Sequence, residues 1–201
     1  MSGEITNIRL AGVGGQGILV ASEVFCDVLL AAGYDVKKSE VHGMAQRGGT
    51  VNSDVRFGSK VYSSLIPQGE VDILLAFEEM EALRYLPSLK PGGTAIVNTQ
   101  RILPSAVASG KAQYPSGIED QLRERAGKVI MLDGPAVALE AGSSRSVNIC
   151  LLGALSKLLE IDQGIWEAAI AERFRNKGLE SNLAAFKLGR SRTQGVCHDL
   201  E

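Results

Sequence analysis

Ile5-Thr6-Asn7-Ile8-Arg9-Leu10-Ala11-Gly12-Val13-Gly14-Gly15-Gln16-Gly17-Ile18-Leu19 is the stretch that decides the fold. Ile5–Ala11 reads as a buried strand, Gly12–Gly17 as a tight turn, and the residues from Ile18 to about Ala32 as a helix. Ile18, Ala21, Phe25, Val28, Leu29 and Ala32 recur near the 3.6 period and form one apolar face. Gly33 supplies the helix stop. A strand, a glycine turn and a helix in that order begin a parallel α/β layer. Gly12, Gly14 and Gly17 also keep the spacing of a dinucleotide fingerprint, whose glycines let backbone approach an anion at a helix N-terminus. By itself the turn could equally serve to pack helix against strand. Glu40 lies near the distance at which such enzymes place an acid on the ribose, but it enters a glycine-rich loop. A phosphate-binding P-loop fails because Ile18 and Leu19 follow Gly17 where lysine is needed, and Leu10-Ala11 fits a methyltransferase turn poorly.

Working outward, a short strand is expected at Tyr34–Lys38 and a loop at Glu40–Gly49. Thr50–Gly58 alternates, with Val51, Val55 and Phe57 opposite Asn52, Asp54 and Arg56. It reads as a half-exposed strand that turns at Phe57-Gly58-Ser59-Lys60 into a second hairpin strand, Val61–Ile66. Val71–Phe77 is a continuous apolar run, as in a central parallel strand. A helix at Glu78–Leu89, a turn at Lys90-Pro91-Gly92-Gly93, and strands at Thr94–Asn98 and Val129–Leu132 follow. Ser146–Glu160, Ile165–Arg175 and Leu179–Leu188 read as helices, which makes the C-terminal third helical. The expected fold is therefore Rossmann-like α/β: a mainly parallel sheet, helices on both faces and one hairpin edge. Residues 1–192 are expected to form one domain, with a tail at 193–201.

With 201 residues and 45% apolar content, the chain can bury a core without staples. A net charge of −2 and 5% aromatic residues leave no case for nucleic acid, and no apolar run is long enough to span a membrane. Cys26, Cys150 and Cys197 match neither zinc nor iron–sulfur spacing, and there are only two histidines, so no metal site is expected. Odd, scattered cysteines and the absence of an export signal at Met1-Ser2-Gly3-Glu4 point to the cytoplasm.

The second glycine-rich stretch, Glu40-Val41-His42-Gly43-Met44-Ala45-Gln46-Arg47-Gly48-Gly49-Thr50, gathers an imidazole and a guanidinium in one loop. Arg47 can fork onto a carboxylate, a phosphate or a partner chain, and His42 can donate a hydrogen bond or exchange a proton. The plainer reading is a surface arginine and a structural loop histidine. Glu78, Glu79 and Glu81 suit the first turn of a helix, where the dipole favours them. Asp133 suits a turn, and Asn148 is an amide that needs partners inside an apolar helix. Gly153, one turn further, permits close helix packing. No nucleophile–base pair is present, so no catalytic residue is assigned.

Taken together, Gly12–Gly17, Glu40–Thr50, Ser53-Asp54-Val55-Arg56-Phe57-Gly58, Asn148 with Leu151-Leu152-Gly153, and Ala185-Phe186-Lys187-Leu188-Gly189-Arg190 resemble a known family. That family is the gamma-type subunit of the 2-oxoacid:ferredoxin oxidoreductases, in its indolepyruvate branch. The likeness covers about residues 5–190. It implies oxidative decarboxylation of a 2-oxoacid, with aryl-pyruvates such as indolepyruvate favoured, to an acyl-coenzyme A, electrons passing to ferredoxin. It also implies that thiamine diphosphate and 4Fe–4S clusters sit on a larger partner subunit, and that this chain binds no cofactor alone. Each such cluster usually takes four cysteine thiolates, and this chain has three. By the same resemblance, Gly12, Gly14, Gly15, Gln16 and Gly17 are the cofactor-binding turn, approaching coenzyme A. His42, Gln46, Arg47, Gly48 and Gly49 are then the substrate or partner loop. The competing readings are a free-standing NAD(P)-binding reductase and a non-catalytic nucleotide-binding scaffold.

Overall fold

The computed structural model describes residues 5–43 and 48–193. Six strands, β1 (Thr6–Val13), β2 (Asp35–His42), β3 (Thr50–Gly58), β4 (Val71–Ala76), β5 (Leu89–Asn98) and β6 (Lys128–Leu132), build one sheet in the order β2-β3-β1-β4-β5-β6. Strands β1, β4, β5 and β6 pair in parallel, while β3 is antiparallel to both β1 and β2. The mainly parallel sheet with one hairpin edge is as the sequence suggested.

Alternation along the strands assigns the two faces. Ile8, Leu10, Ile73, Leu75, Ile96 and Ile130 face a core shared with α1 (Ile18–Ala31), α5 (Gly134–Glu140), α6 (Val147–Ser156), α7 (Gln163–Phe174) and α8 (Leu179–Arg192). Leu74, Ala76, Ala95, Val97 and Val129 face a smaller core with α2 (Glu79–Tyr85) and α4 (Ile118–Arg125), and the single turn α3 (Ser105–Ala108), with no residue buried, links β5 to α4. Trp166 is buried in the larger core, stacked between Phe25 at 5.6 Å and Phe186 at 5.9 Å. Among the described residues no helix is long and apolar enough to cross a membrane.

The hairpin joins β2 to β3, rather than β3 to residues 61–66. The chain that leaves Gly58 is held as a loop, with Val61 N donating to Asp35 Oδ2 at 2.9 Å. Arg56 Nη1 donates to the Ser63 and Leu65 carbonyls at 3.0 and 2.7 Å. Strand β2 also runs on to His42, through residues read as loop. Nor is β3 half-exposed, because it lies between β1 and β2 and the side chains of Asn52, Asp54 and Arg56 find partners. Asp54 takes both forks of Arg9 at 2.7 Å each, and Asn52 accepts the Tyr85 hydroxyl at 3.0 Å. Arg56 Nε donates to Asn7 Oδ1 at 2.8 Å.

Helix α2 stops at Tyr85, short of Leu89. A 3-10 turn at Leu86–Ser88 takes over, since Pro87 has no N–H to continue the ladder. Helix α4 was not legible because only Ile118 and Leu122 of its residues are buried. At α5, the turn residues Asp133-Gly134-Pro135 start a helix: Asp133 Oδ1 accepts from Ala136 N at 3.0 Å and proline sits in the first turn.

Candidate functional site at the carboxyl edge of the sheet

Open α/β sheets hold ligands beyond the carboxyl ends of their strands, where successive helices diverge to opposite faces. Here that point lies between β1 and β4, because α1 follows β1 onto the larger core and α2 follows β4 onto the smaller. The Gly12–Gly17 turn occupies it. Gly17 has φ 77° and leads straight into α1, a left-handed conformation that favours glycine. Gly12 is buried, and a Cβ there would lie 2.7 Å from Gln16 Oε1 and 2.7 Å from the Phe77 Cβ. The end of β1 can therefore approach β4 only through glycine.

Gln16 fixes the turn in place. Its Oε1 accepts from Val13 N at 2.8 Å, and its Nε2 donates to the Phe77 carbonyl at 2.7 Å and to Gln100 Oε1 at 3.2 Å. Asn98, fully buried, donates from Nδ2 to the same Phe77 carbonyl at 2.9 Å and accepts from Gly134 N at 3.0 Å. These amides tie together the loops that follow β1, β4, β5 and β6. Behind the turn, Asn148 Nδ2 donates to the Gly17 carbonyl at 3.3 Å, which supplies a partner for the buried amide noticed in the sequence.

The second glycine stretch meets the first directly. Gly14 N donates to the Gly49 carbonyl at 2.8 Å, and Gly43 N to the Thr50 carbonyl at 3.0 Å. Gly15 and Gly48 are exposed, at φ 107° and 77°, and a Cβ on either would meet nothing within 4 Å. Gly14, Gly15, Gly48 and Gly49 thus make a ledge of bare backbone at the strand ends. His42 closes β2 in register with Val51. Gln46 and Arg47 lie outside the described residues.

Glu78, Glu79 and Glu81 are all buried at the same edge, at 0%, 6% and 2% exposure. Glu78 caps α2: Oε2 accepts from Glu81 N at 2.9 Å, and Oε1 accepts from Ile102 N at 3.1 Å and from the Tyr114 hydroxyl. The buried carboxylate raises the Tyr114 pKa further, after desolvation. Glu81 Oε1 meets Arg84 Nε at 3.0 Å and Thr50 Oγ1 at 3.4 Å, whereas its buried Oε2 has no partner. Burial raises the Glu81 pKa. The sequence signalled this glutamate only as a first-turn residue.

A dinucleotide site is poorly served by this geometry. In such folds the second strand lies beside the first and ends on the ribose acid. Here β3 separates β2 from β1, and Glu40 pairs with Lys38 at 2.7 Å within β2. An iron–sulfur cluster is no better served. Cys26 and Cys150 lie on α1 and α6, and burial pushes their thiols up to about 11 and about 12. Among the described residues no group of three or more His, Cys, Asp or Glu is placed to hold a metal.

Comparison with known proteins decides among the remaining readings. The profile of the pyruvate ferredoxin/flavodoxin oxidoreductase family matches residues 7–192. The chain belongs to that family. It is 41% identical over 192 residues to the indolepyruvate oxidoreductase subunit IorB of Thermococcus kodakarensis, covering 91% of this chain and 93% of that protein. The corresponding subunit of Pyrococcus horikoshii is 41% identical over 189 residues, with the same coverage. Among solved structures, the 2-oxoglutarate:ferredoxin oxidoreductase of Magnetococcus marinus, with 2-oxoglutarate, coenzyme A and succinyl-CoA bound, superposes with TM-score 0.73 at 25% identity. It covers 96% of this chain but 32% of that one. Family membership is as the two glycine stretches had suggested.

Proposed function

We infer that this chain is a subunit of an indolepyruvate-type 2-oxoacid:ferredoxin oxidoreductase. The complex converts an aryl 2-oxoacid and coenzyme A to an acyl-coenzyme A and carbon dioxide, passing electrons to ferredoxin. The observation that carries the reading is the ledge where Gly14 N meets the Gly49 carbonyl at 2.8 Å, on a chain 41% identical to an indolepyruvate oxidoreductase subunit over nearly its whole length. Thiamine diphosphate and the 4Fe–4S clusters belong to a larger partner subunit, and this chain binds neither alone. Its own part, as one domain of residues 1–192 working in the cytoplasm, is to complete the wall of the active site.

The turn is suited to coenzyme A. Backbone without side chains lets a diphosphate or pantetheine come close, and the α1 N-terminus adds partial positive charge. In this reading Gly12, Gly14, Gly15 and Gly17 shape the turn and Gln16 holds it from beneath. His42, Gln46, Arg47, Gly48 and Gly49 form the neighbouring substrate or partner loop.

Co-expression with the larger subunit, followed by viologen reduction, tests this. The complex is expected to reduce viologen with indolepyruvate or phenylpyruvate in a coenzyme A-dependent manner, and the isolated chain to be inactive. Activity of the chain alone would overturn the subunit reading. A kcat/KM preference for pyruvate or 2-oxoglutarate would overturn only the aryl specificity.

A further inference from the structure

We propose that Glu81 is a positioning residue for the Gly14–Gly49 ledge, fixing the second glycine stretch against α2 through Thr50. The inference rests on the assignment of the ledge to coenzyme A and deepens it by naming what holds that surface in place.

The chain of contacts is short. Gly14 N donates to the Gly49 carbonyl at 2.8 Å, which joins the two halves of the ledge. The next residue, Thr50, stands in register with Val13 at the end of β1, and its carbonyl accepts from Gly43 N at 3.0 Å. The Thr50 hydroxyl donates to Glu81 Oε1 at 3.4 Å. Gln16 anchors the first glycine stretch to the loops after β4 and β5. Glu81 gives the second stretch a corresponding anchor, on the first turn of α2.

A glutamate at a helix start serves the helix dipole from solvent, but Glu81 is 2% exposed and its buried Oε2 has no partner. The cap of α2 is already supplied by Glu78, whose Oε2 accepts from Glu81 N at 2.9 Å. Burial of this side chain therefore calls for another reason, and the contact with Thr50 provides one. The groups that face Glu81 are Arg84 Nε at 3.0 Å, Glu78 and Tyr85 from α2 and its cap, and Thr50 from β3. Tyr85 in turn faces Arg9 and Asp54. Ionisation would put charge on an oxygen that meets no donor, so burial raises the Glu81 pKa. The neutral acid is the form that fits beside Thr50, and the carboxylate is the form drawn out to water. The contact is complete below the folded pKa and is lost as pH rises through it.

The test uses the assembled enzyme with Glu81→Ala, Glu81→Gln and Thr50→Val, assayed by viologen reduction with coenzyme A varied at saturating 2-oxoacid. Glu81→Ala and Thr50→Val are each expected to raise the KM for coenzyme A about fivefold with kcat little changed, the scale of one lost hydrogen bond. Glu81→Gln keeps an oxygen for Thr50 and is expected to recover most of that loss. In wild type the KM is expected to climb as pH rises through the folded Glu81 value, and in Glu81→Gln that limb is expected to vanish. Coenzyme A titrates alike in both, so the difference belongs to the residue. An unaltered KM in both Glu81→Ala and Thr50→Val would overturn the positioning role. So would a Glu81→Gln profile that follows wild type, or a glutamine variant no better than the alanine one. Should Glu81→Ala fail to assemble, Thr50→Val, which keeps a β-branched side chain in the strand, decides alone. A wild-type complex whose turnover needs no coenzyme A would instead overturn the function on which the inference rests.

Discussion

Gly153 of α6 lies so close to Phe186 of α8 that a Cβ on the glycine would sit 2.1 Å from the Phe186 carbonyl oxygen. The relation is reciprocal, since a Cβ on Gly189 would sit 2.0 Å from the Cys150 carbonyl oxygen. Two backbones in contact cannot admit a methyl group without parting. Gly153→Ala and Gly189→Ala are each expected to destabilise the chain by about 3 kcal/mol, at the upper end of overpacking costs. Urea unfolding followed by circular dichroism would measure it, and losses below 1 kcal/mol would show that the helices separate easily.

Gly17 and Gly15 separate folding from contact. Gly17→Ala strains φ 77° and drives a methyl to 2.8 Å from Asn148 Nδ2, so a loss of about 2 kcal/mol is expected. Gly15→Ala strains φ 107° alone, its Cβ meeting open space. In the assembled enzyme Gly15→Ala is expected to raise the KM for coenzyme A about tenfold with kcat little changed, because it would obstruct the ledge that the proposed function assigns to coenzyme A. Steady-state kinetics at saturating 2-oxoacid decide this, and an unaltered KM counts against the ledge.

The Arg9–Asp54 pair is bidentate, with side-chain exposures of 14% and 10%, and Arg9 lies 5.4 Å over the Tyr85 ring. Removing one partner strands the other, so Asp54→Ala is expected to cost about 3 kcal/mol. The double variant Arg9→Met with Asp54→Ala is expected to cost less than Asp54→Ala alone. A double-mutant cycle by chemical denaturation provides the measurement, and additive losses would show that the two charges are not coupled.

Glu81 should make stability depend on pH. Its folded pKa is raised by burial, so its favourable contribution is full below the unfolded glutamate pKa and is lost as pH rises through the folded value. Glu81→Gln keeps an oxygen for Thr50 and Arg84 while removing the buried charge. Its Tm is expected to exceed that of wild type at neutral pH and to vary less with pH above the ordinary glutamate range. Scanning calorimetry at several pH values checks the sign, and a lower neutral-pH Tm would refute it.

Much of the fold was legible because its signals are local. The apolar run at Val71–Phe77, the turn before α1 and the helical period of α6 to α8 each speak for themselves. The hairpin was misplaced because Phe57-Gly58-Ser59-Lys60 looks like a turn, whereas the true partner of β3 precedes it through a polar, glycine-rich segment. Asn52 and Asp54 suggested an exposed face for the same reason: their partners Tyr85 and Arg9 are distant in sequence. At the site, the glycines could be read from their spacing. The task of Gln16 could not, since it depends on Phe77 and Gln100 arriving at the same edge.

Every link from Gln16 through the Phe77 carbonyl and Asn98 to Gly134 is made by uncharged amides and backbone groups. Ion pairs loosen as salt rises and as carboxylates take up protons. Neutral amides have no charge to screen and no proton to exchange across the physiological range. The mouth of the sheet is therefore a fixture whose dimensions hold constant through changes of electrolyte and acidity, while the ion-paired face beside it responds to both.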